Sequence, residues 1–263
     1  MSREKVMAGI NSSALKEFGG FVSFYDVLPD FVELSLAELR IEEWSKALKK
    51  LRELETTITI HAPYQNSPVK ETRIEMTTGR GMNVVEKVLK FSAAAKAETV
   101  VFHCGDIVGC YSKSFQNFLK NAKQLKKLSE KYGVTVVLEN LYPECGISRM
   151  GETPEELLMA VECGLEVNVD VGHAYIASLH WRRDLLKEFF RTLNGSIVHV
   201  HAHNNFGIWS KPCDSHNPLF RGLIDYGKLR REIRKSGVER IVLEVKNGSL
   251  EEIRQSMEFI RSI

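Results

Sequence analysis

The chain has 263 residues, 43% of them hydrophobic, a length and composition that one large α/β domain can fill with a single core. Its 36 basic and 34 acidic residues leave a formal net charge of +2, so composition supplies no basic footprint for nucleic acid. The five cysteines, Cys104, Cys110, Cys145, Cys163 and Cys213, form no C-x-x-C pair; this excludes a cysteine zinc knuckle and points to reduced thiols. No run reaches the roughly 18 apolar residues that span a bilayer, and none follows the charged N-terminus, so a cytoplasmic protein without a membrane segment is expected.

Short β-branched runs alternate with long amphipathic stretches along the whole chain. Strands are predicted at 5–10 (KVMAGI), 31–36 (FVELSL), 57–61 (TITIH), 99–103 (TVVFH), 134–139 (VTVVLE), 166–170 (EVNVD), 196–201 (SIVHVH) and 240–245 (RIVLEV). Helices are predicted at 81–97, 114–131, 153–163, 182–193, 226–236 and 249–262. Thr153-Pro154 reads as an N-cap followed by proline at the first helical position, and Gly133, Gly164 and Gly237 lie just past helix ends. Residues 11–30 show no clear period. Eight strands with helices between them form either an open doubly wound sheet or a closed barrel. No G-x-G-x-x-G or Walker loop follows an early strand, so the expected fold is a (β/α)8 TIM barrel, with residues 1–263 as one domain.

Six successive strands end on a residue able to bind metal: His61, His103, Glu139, Asp170, His201 and Glu244. A closed barrel brings all six ends to its C-terminal mouth, where barrels of this kind keep their chemistry. Parallel barrel strands normally read as continuous Val, Ile and Leu, so ionisable side chains there need partners, and one bound cation partners several. His173, Asp214 and His216 are expected in loops overhanging the same mouth. Mixed imidazole and carboxylate donors suit Zn, Mn, Fe or Co better than Ca. His199 is expected deeper in the barrel, His203 as a substrate or supporting contact, and Glu33 within reach of the mouth. His180 and Trp181 read as the surface and packing of a helix, and Trp209 as the wall of a substrate pocket.

The segments His61-Ala62-Pro63-Tyr64, Val101-Phe102-His103-Cys104-Gly105, Leu138-Glu139-Asn140, Asp170-Val171-Gly172-His173-Ala174, His201-Ala202-His203-Asn204-Asn205, Asp214-Ser215-His216 and Leu243-Glu244 resemble the xylose isomerase-like barrel superfamily, which includes endonuclease IV. The resemblance runs from about residue 57 to the C-terminus. It implies that His61, His103, Glu139, Asp170, His173, His201, Asp214, His216 and Glu244 match the ligands of a three-zinc cluster. It also implies that Glu139, Asp170, His201 and Glu244 match the subset holding one metal in sugar isomerases and epimerases. Glu139-Asn140-Leu141-Tyr142-Pro143 resembles the isomerase branch. The region before residue 57 lacks the endonuclease's glycine-rich signature, and Leu219-Phe220-Arg221-Gly222 stands where both branches often have Leu-Gly-Glu-Gly.

What the resemblance implies first is an isomerase or epimerase of a small sugar, sugar phosphate or related hydroxy-carbonyl compound, working through a metal-chelated enediolate. Its cofactor would be a divalent metal, Zn, Mn, Co or Mg, in one to three copies. Glu139 and Glu244 would exchange the proton, His173 and His203 would contact substrate, and Lys211 or Arg221 would take up a phosphate. The alternative is a zinc phosphodiesterase acting at abasic sites in DNA, with Arg73, Arg80, Lys113, Arg149, Lys211 and Arg221 as phosphate contacts. A third reading is a metal-binding barrel without turnover.

Overall fold

The computed structural model describes residues 6–144, 146–208 and 210–263. Lys5 of the first expected strand, Cys145 and Trp209 lie outside the described residues. In chain order the elements are β1 (Met7–Asn11), α1 (Phe24–Val27), β2 (Phe31–Ser35), α2 (Ile41–Glu53), β3 (Thr57–His61), α3 (Met82–Ala95), β4 (Thr99–His103), α4 (Tyr111–Tyr132) and β5 (Thr135–Glu139). There follow α5 (Pro154–Val161), β6 (Glu166–Asp170), α6 (Val171–Trp181), α7 (Leu185–Thr192), β7 (Ile197–Ala202), α8 (Tyr226–Ser236), β8 (Arg240–Leu243) and α9 (Leu250–Arg261). All eight strands pair in parallel in the order β1 to β8, and β8 returns to β1, so the sheet closes as the alternation predicts.

Alternation along the strands divides the buried residues into two sets. Ile10, Leu34, Ile60, Phe102, Leu138 and Val169 point outward into the shell of core that seats the helices. Each such side chain stabilises the fold by about 2 kcal/mol through burial. Phe31, Val101, Val137 and Val242 are equally buried but stand apart from that shell, because they point into the barrel. Phe31 plugs the interior, and it fits only because Gly9 faces it: a Cβ there would lie 2.3 Å from the ring. Above this apolar plug the inward positions turn polar, with Asn11, Glu33, Thr59, Asn168 and His199 all buried.

The helices add detail in three places. The helix expected at 182–193 is α7, and a separate helix, α6, precedes it, the two divided at Arg182, whose φ of 52° is left-handed. α6 begins immediately after β6 because Asp170 caps it, its side chain accepting from the His173 N–H at 2.7 Å. His173 therefore sits in the first turn of a helix and not in a loop. Residues 11–30 form no barrel helix, only two three-residue turns (Ser12–Ala14 and Lys16–Phe18) and the four-residue α1. Elsewhere the end signals hold: Thr153 is the residue before α5 with Pro154 first inside it, and Gly133 and Gly237 terminate α4 and α8 with φ of 64° and 74°. Among the described residues no helix is long and apolar enough to cross a membrane.

Candidate metal centre

The nine expected donors converge on one mouth and fall into three groups, which a fourth, Glu139–Asp170–His173, links together. His61 and His103 face Glu139 from β3 and β4, with their Nε2 atoms each 3.5 Å from one of its carboxylate oxygens. Asp170, His201 and Glu244 form a second group. His201 Nδ1 lies 3.1 Å from Glu244 Oε2, 3.1 Å from Glu139 Oε2 and 3.8 Å from Asp170 Oδ2. In the third, Asp214 Oδ2 is 2.8 Å from His216 Nε2 and 3.4 Å from His173 Nε2, with His203 beside them. Glu244 lies one residue beyond the end of β8.

In four of the imidazoles a hydrogen bond at the back of the ring shows which nitrogen donates a proton there. A backbone carbonyl can only accept, so Nδ1–H is donated by His61 to Ala62 (2.9 Å), by His173 to Asn140 (3.0 Å) and by His216 to Glu244 (3.0 Å). His201 is reversed: its Nε2–H reaches the Glu33 carboxylate at 3.1 Å. In all four rings the other nitrogen faces carboxylate oxygens, a contact that needs a proton or a cation between the two atoms. Glu139 Oε1, Asp170 Oδ2, Asp214 Oδ1 and His201 Nδ1 are buried without hydrogen-bond partners.

The electrostatics state the same need for positive charge. Burial alone would raise Glu139, yet the imidazoles of His201 and His103 hold it well below the usual carboxylate range; His216 and His201 do the same to Glu244. Burial would lower His61, but its bond to Glu139 lifts it to about 9. His103 goes the other way, down to about 3, because its burial outweighs Glu139. Buried carboxylate oxygens without hydrogen-bond partners, set among imidazole nitrogens, are the donor set of a divalent transition metal, and these residues fit one.

Supporting residues hold the donors in place. Asn140 Nδ2 donates to Asp170 O at 3.0 Å, and Asn140 Oδ1 accepts from the Asp170 N–H at 2.7 Å; Asn168 Nδ2 donates to Glu139 Oε2 at 3.0 Å. His216 has a left-handed φ of 44°, which the Asn204–Asn217 backbone pair and the Lys246 N–H to His216 O bond hold in place. Strain of this kind persists only where surrounding contacts over-determine it.

A cavity of about 310 Å³ opens above the donors. It is lined by His61, His103, Glu139, His173, Asp214, His216 and Glu244, by groups not singled out from the sequence, Asn11, Ser12, Ser13, Ser35, Tyr64, Gln65, Tyr142 and Lys246, and by Arg149, expected as a phosphate contact under the alternative reading. The signal for Asn11, Ser12, Ser13 and Ser35 was present, since they end or follow β1 and β2 as the metal donors end later strands. Burial pushes the Tyr64 phenol up to about 12, so it stays a hydrogen-bond donor. Three expected substrate contacts lie elsewhere. His203 is fully buried behind the donors, its Nε2 3.1 Å from Asp170 Oδ1. Lys211 is exposed away from the cavity lining. Arg221 bonds Asn247 and lies 3.4 Å from Glu252 of α9.

A barrel carrying metal-type donors on the C-terminal ends of its strands is the class that fold and site define. The model of one family, described as xylose isomerase-like TIM barrel, matches residues 14–263, and the chain belongs to that family. An uncharacterized protein of Methanocaldococcus jannaschii, MJ1311, is 26% identical over 230 residues, covering 82% of this chain and 74% of the relative. The crystal structure of a D-tagatose 3-epimerase-like protein superimposes with a TM-score of 0.74 at 23% identity, covering 97% of this chain and 96% of that one. D-psicose 3-epimerase from Clostridium cellulolyticum H10, solved with D-tagatose, gives 0.70 at 13% identity, with 98% and 99% covered.

Proposed function

We propose that the protein is a divalent-metal-dependent isomerase or epimerase of a small sugar, sugar phosphate or related hydroxy-carbonyl compound. The observation that carries this reading is the placement of Glu139 and Glu244, both bordering the cavity and both 3.1 Å from His201 Nδ1. Glu139, Asp170, His201 and Glu244 would hold the ion, which when bound supplies Lewis acidity to a carbonyl and its neighbouring hydroxyl. Glu244, whose side chain is 16% exposed, is open to substrate and removes or returns the proton on the carbon beside the carbonyl. Glu139, held by Asn168, serves the opposite side. Tyr64, Ser12 and Ser35 offer hydroxyls to the hydroxyl groups of a sugar, and Lys246 replaces Lys211 and Arg221 as the cation available to a phosphate.

Cavity size supports a small substrate, since 310 Å³ lies at the low end for small-molecule sites. The names of the superimposed solved structures, a D-tagatose 3-epimerase-like protein and a D-psicose 3-epimerase, support the sugar. Arg149 and Lys246 are the two Lys or Arg side chains among the lining residues, and Arg149 is already paired with Asp106 and Glu144. A duplex-binding face needs more cations than that.

One observation favours a second reading, a zinc phosphodiesterase acting at abasic sites: His61, His103, Asp214 and His216 also converge into groups of their own. Two measurements decide. Incubation of the metal-loaded protein with ketoses and ketose phosphates in D2O, followed by NMR, is expected to show deuterium entering beside the carbonyl and an epimer or isomer accumulating, with about one ion per chain. Cleavage of an abasic duplex with about three ions per chain and no such exchange would replace the first reading with the second. A protein that does neither while binding metal is a barrel without turnover.

A further inference from the structure

Beneath the donors lies a charged residue that the proposed reaction does not use. Glu33, on β2, is fully buried, and a carboxylate at such a depth is costly unless its oxygens are bonded. Asn11 Nδ2 donates to its Oε1 at 3.0 Å and His201 Nε2 to its Oε2 at 3.1 Å, while His199 Nε2 stands 3.6 Å away. Phe31 closes the barrel below, edge-on to His199. His201 thus spans two layers, joined to Glu33 below and turned toward Glu139 and Glu244 above. The other donor histidines whose back nitrogen is bonded, His61, His173 and His216, each use a neutral backbone carbonyl.

We infer that Glu33 is a positioning residue that acts through His201 to make the Glu139–Asp170–His201–Glu244 position the tightest metal position of the mouth. A carboxylate behind an imidazole fixes its tautomer and increases its basicity, an effect worth about 10–100-fold in metal affinity. A carbonyl supplies orientation without the negative charge. The order of filling follows: one ion binds first on His201, and the His61–His103 and His173–Asp214–His216 groups fill later. The inference rests on the metal-binding reading and not on the identity of the substrate.

The test is Co2+ titration of metal-free protein against a competing chelator, read by stoichiometry and by the Co2+ absorption spectrum. Wild type is expected to show one tight ion ahead of weaker ones. Glu33→Gln, which keeps the shape and removes the charge, is expected to weaken the tight ion about 10–100-fold and alter its spectrum, leaving the weaker ones within about twofold. If Glu33→Gln does not fold, Glu33→Asp, which keeps the charge and withdraws it by one methylene, is expected to weaken the same ion. Unchanged affinity and spectrum in a folded variant overturn the inference alone, as does equal weakening of every ion together with a lower melting temperature of the metal-free protein. Wild type that binds no Co2+ overturns the metal-binding reading with it.

Discussion

At Asp170 several demands meet on one side chain. Its Oδ1 accepts the His173 N–H and the His203 Nε2–H, while its buried Oδ2 has no partner. Asp170→Asn keeps an oxygen for the cap but removes a negative charge from the donor set, so kcat/KM on any accepted sugar is expected to fall at least about 100-fold with little change in melting temperature of the metal-free protein. Gly172 is fixed by its neighbour: a Cβ there would lie 1.9 Å from the His203 ring. Gly172→Ala is expected to cost about 1–3 kcal/mol of stability in urea unfolding, because the ring that supports Asp170 must move. Outside the mouth, burial raises Glu152 from 4.5 to about 7, against hydrogen bonds from the Arg149 N–H and Trp181 Nε1–H and with Glu156 adding repulsion. The folded state then retains a proton that the unfolded chain releases. Stability from this site is complete below about pH 4.5 and lost as pH rises toward 7. Denaturation curves of wild type and Glu152→Gln are expected to diverge over that window, with wild type losing stability relative to the variant.

The elements differ in how plainly the residues announce them. β3, β4 and β6 fall residue for residue where β-branched runs place them, because a strand buried on both faces has no alternative composition. α6 was not legible: Val171 and Gly172 both disfavour a helix, and what forms it is the cap from Asp170 and the fit of Gly172 beneath His203. Arg149 shows an element held from outside itself. It joins the loop after β5 to the loop after β4, with Nε 3.1 Å from Asp106 and Nη2 2.7 Å from Glu144, and its guanidinium lies over the Tyr142 ring. Arg149→Met is expected to cost roughly 2 kcal/mol and to speed amide hydrogen exchange in the loops after β4 and β5, since hydrogen bonds to charged groups contribute about that much. Unchanged exchange would mean that the loops are held by their own backbone pairs.

For the whole molecule, the mouth concentrates Glu139, Asp170, Asp214 and Glu244 in one buried space, and a bound cation relieves their repulsion. Metal at about 100 times its dissociation constant is expected to add about 2.7 kcal/mol. Chelation should therefore lower the melting temperature by roughly 5–10 °C, reversed on adding the metal back; an identical melting curve would argue that no ion binds the folded state alone. The closed barrel and its nine converging donors were readable from the residues, because strand burial and the rule that strand ends meet at one mouth depend on chain pattern alone. Which of these side chains face one another, the reversal of His201 onto Glu33, the burial of His203 and the presence of Lys246, not Lys211 or Arg221, at the cavity were decided only by tertiary structure. Those properties belong to pairs of residues up to 168 positions apart, and their distances are set by how eight strands tilt and register around the barrel.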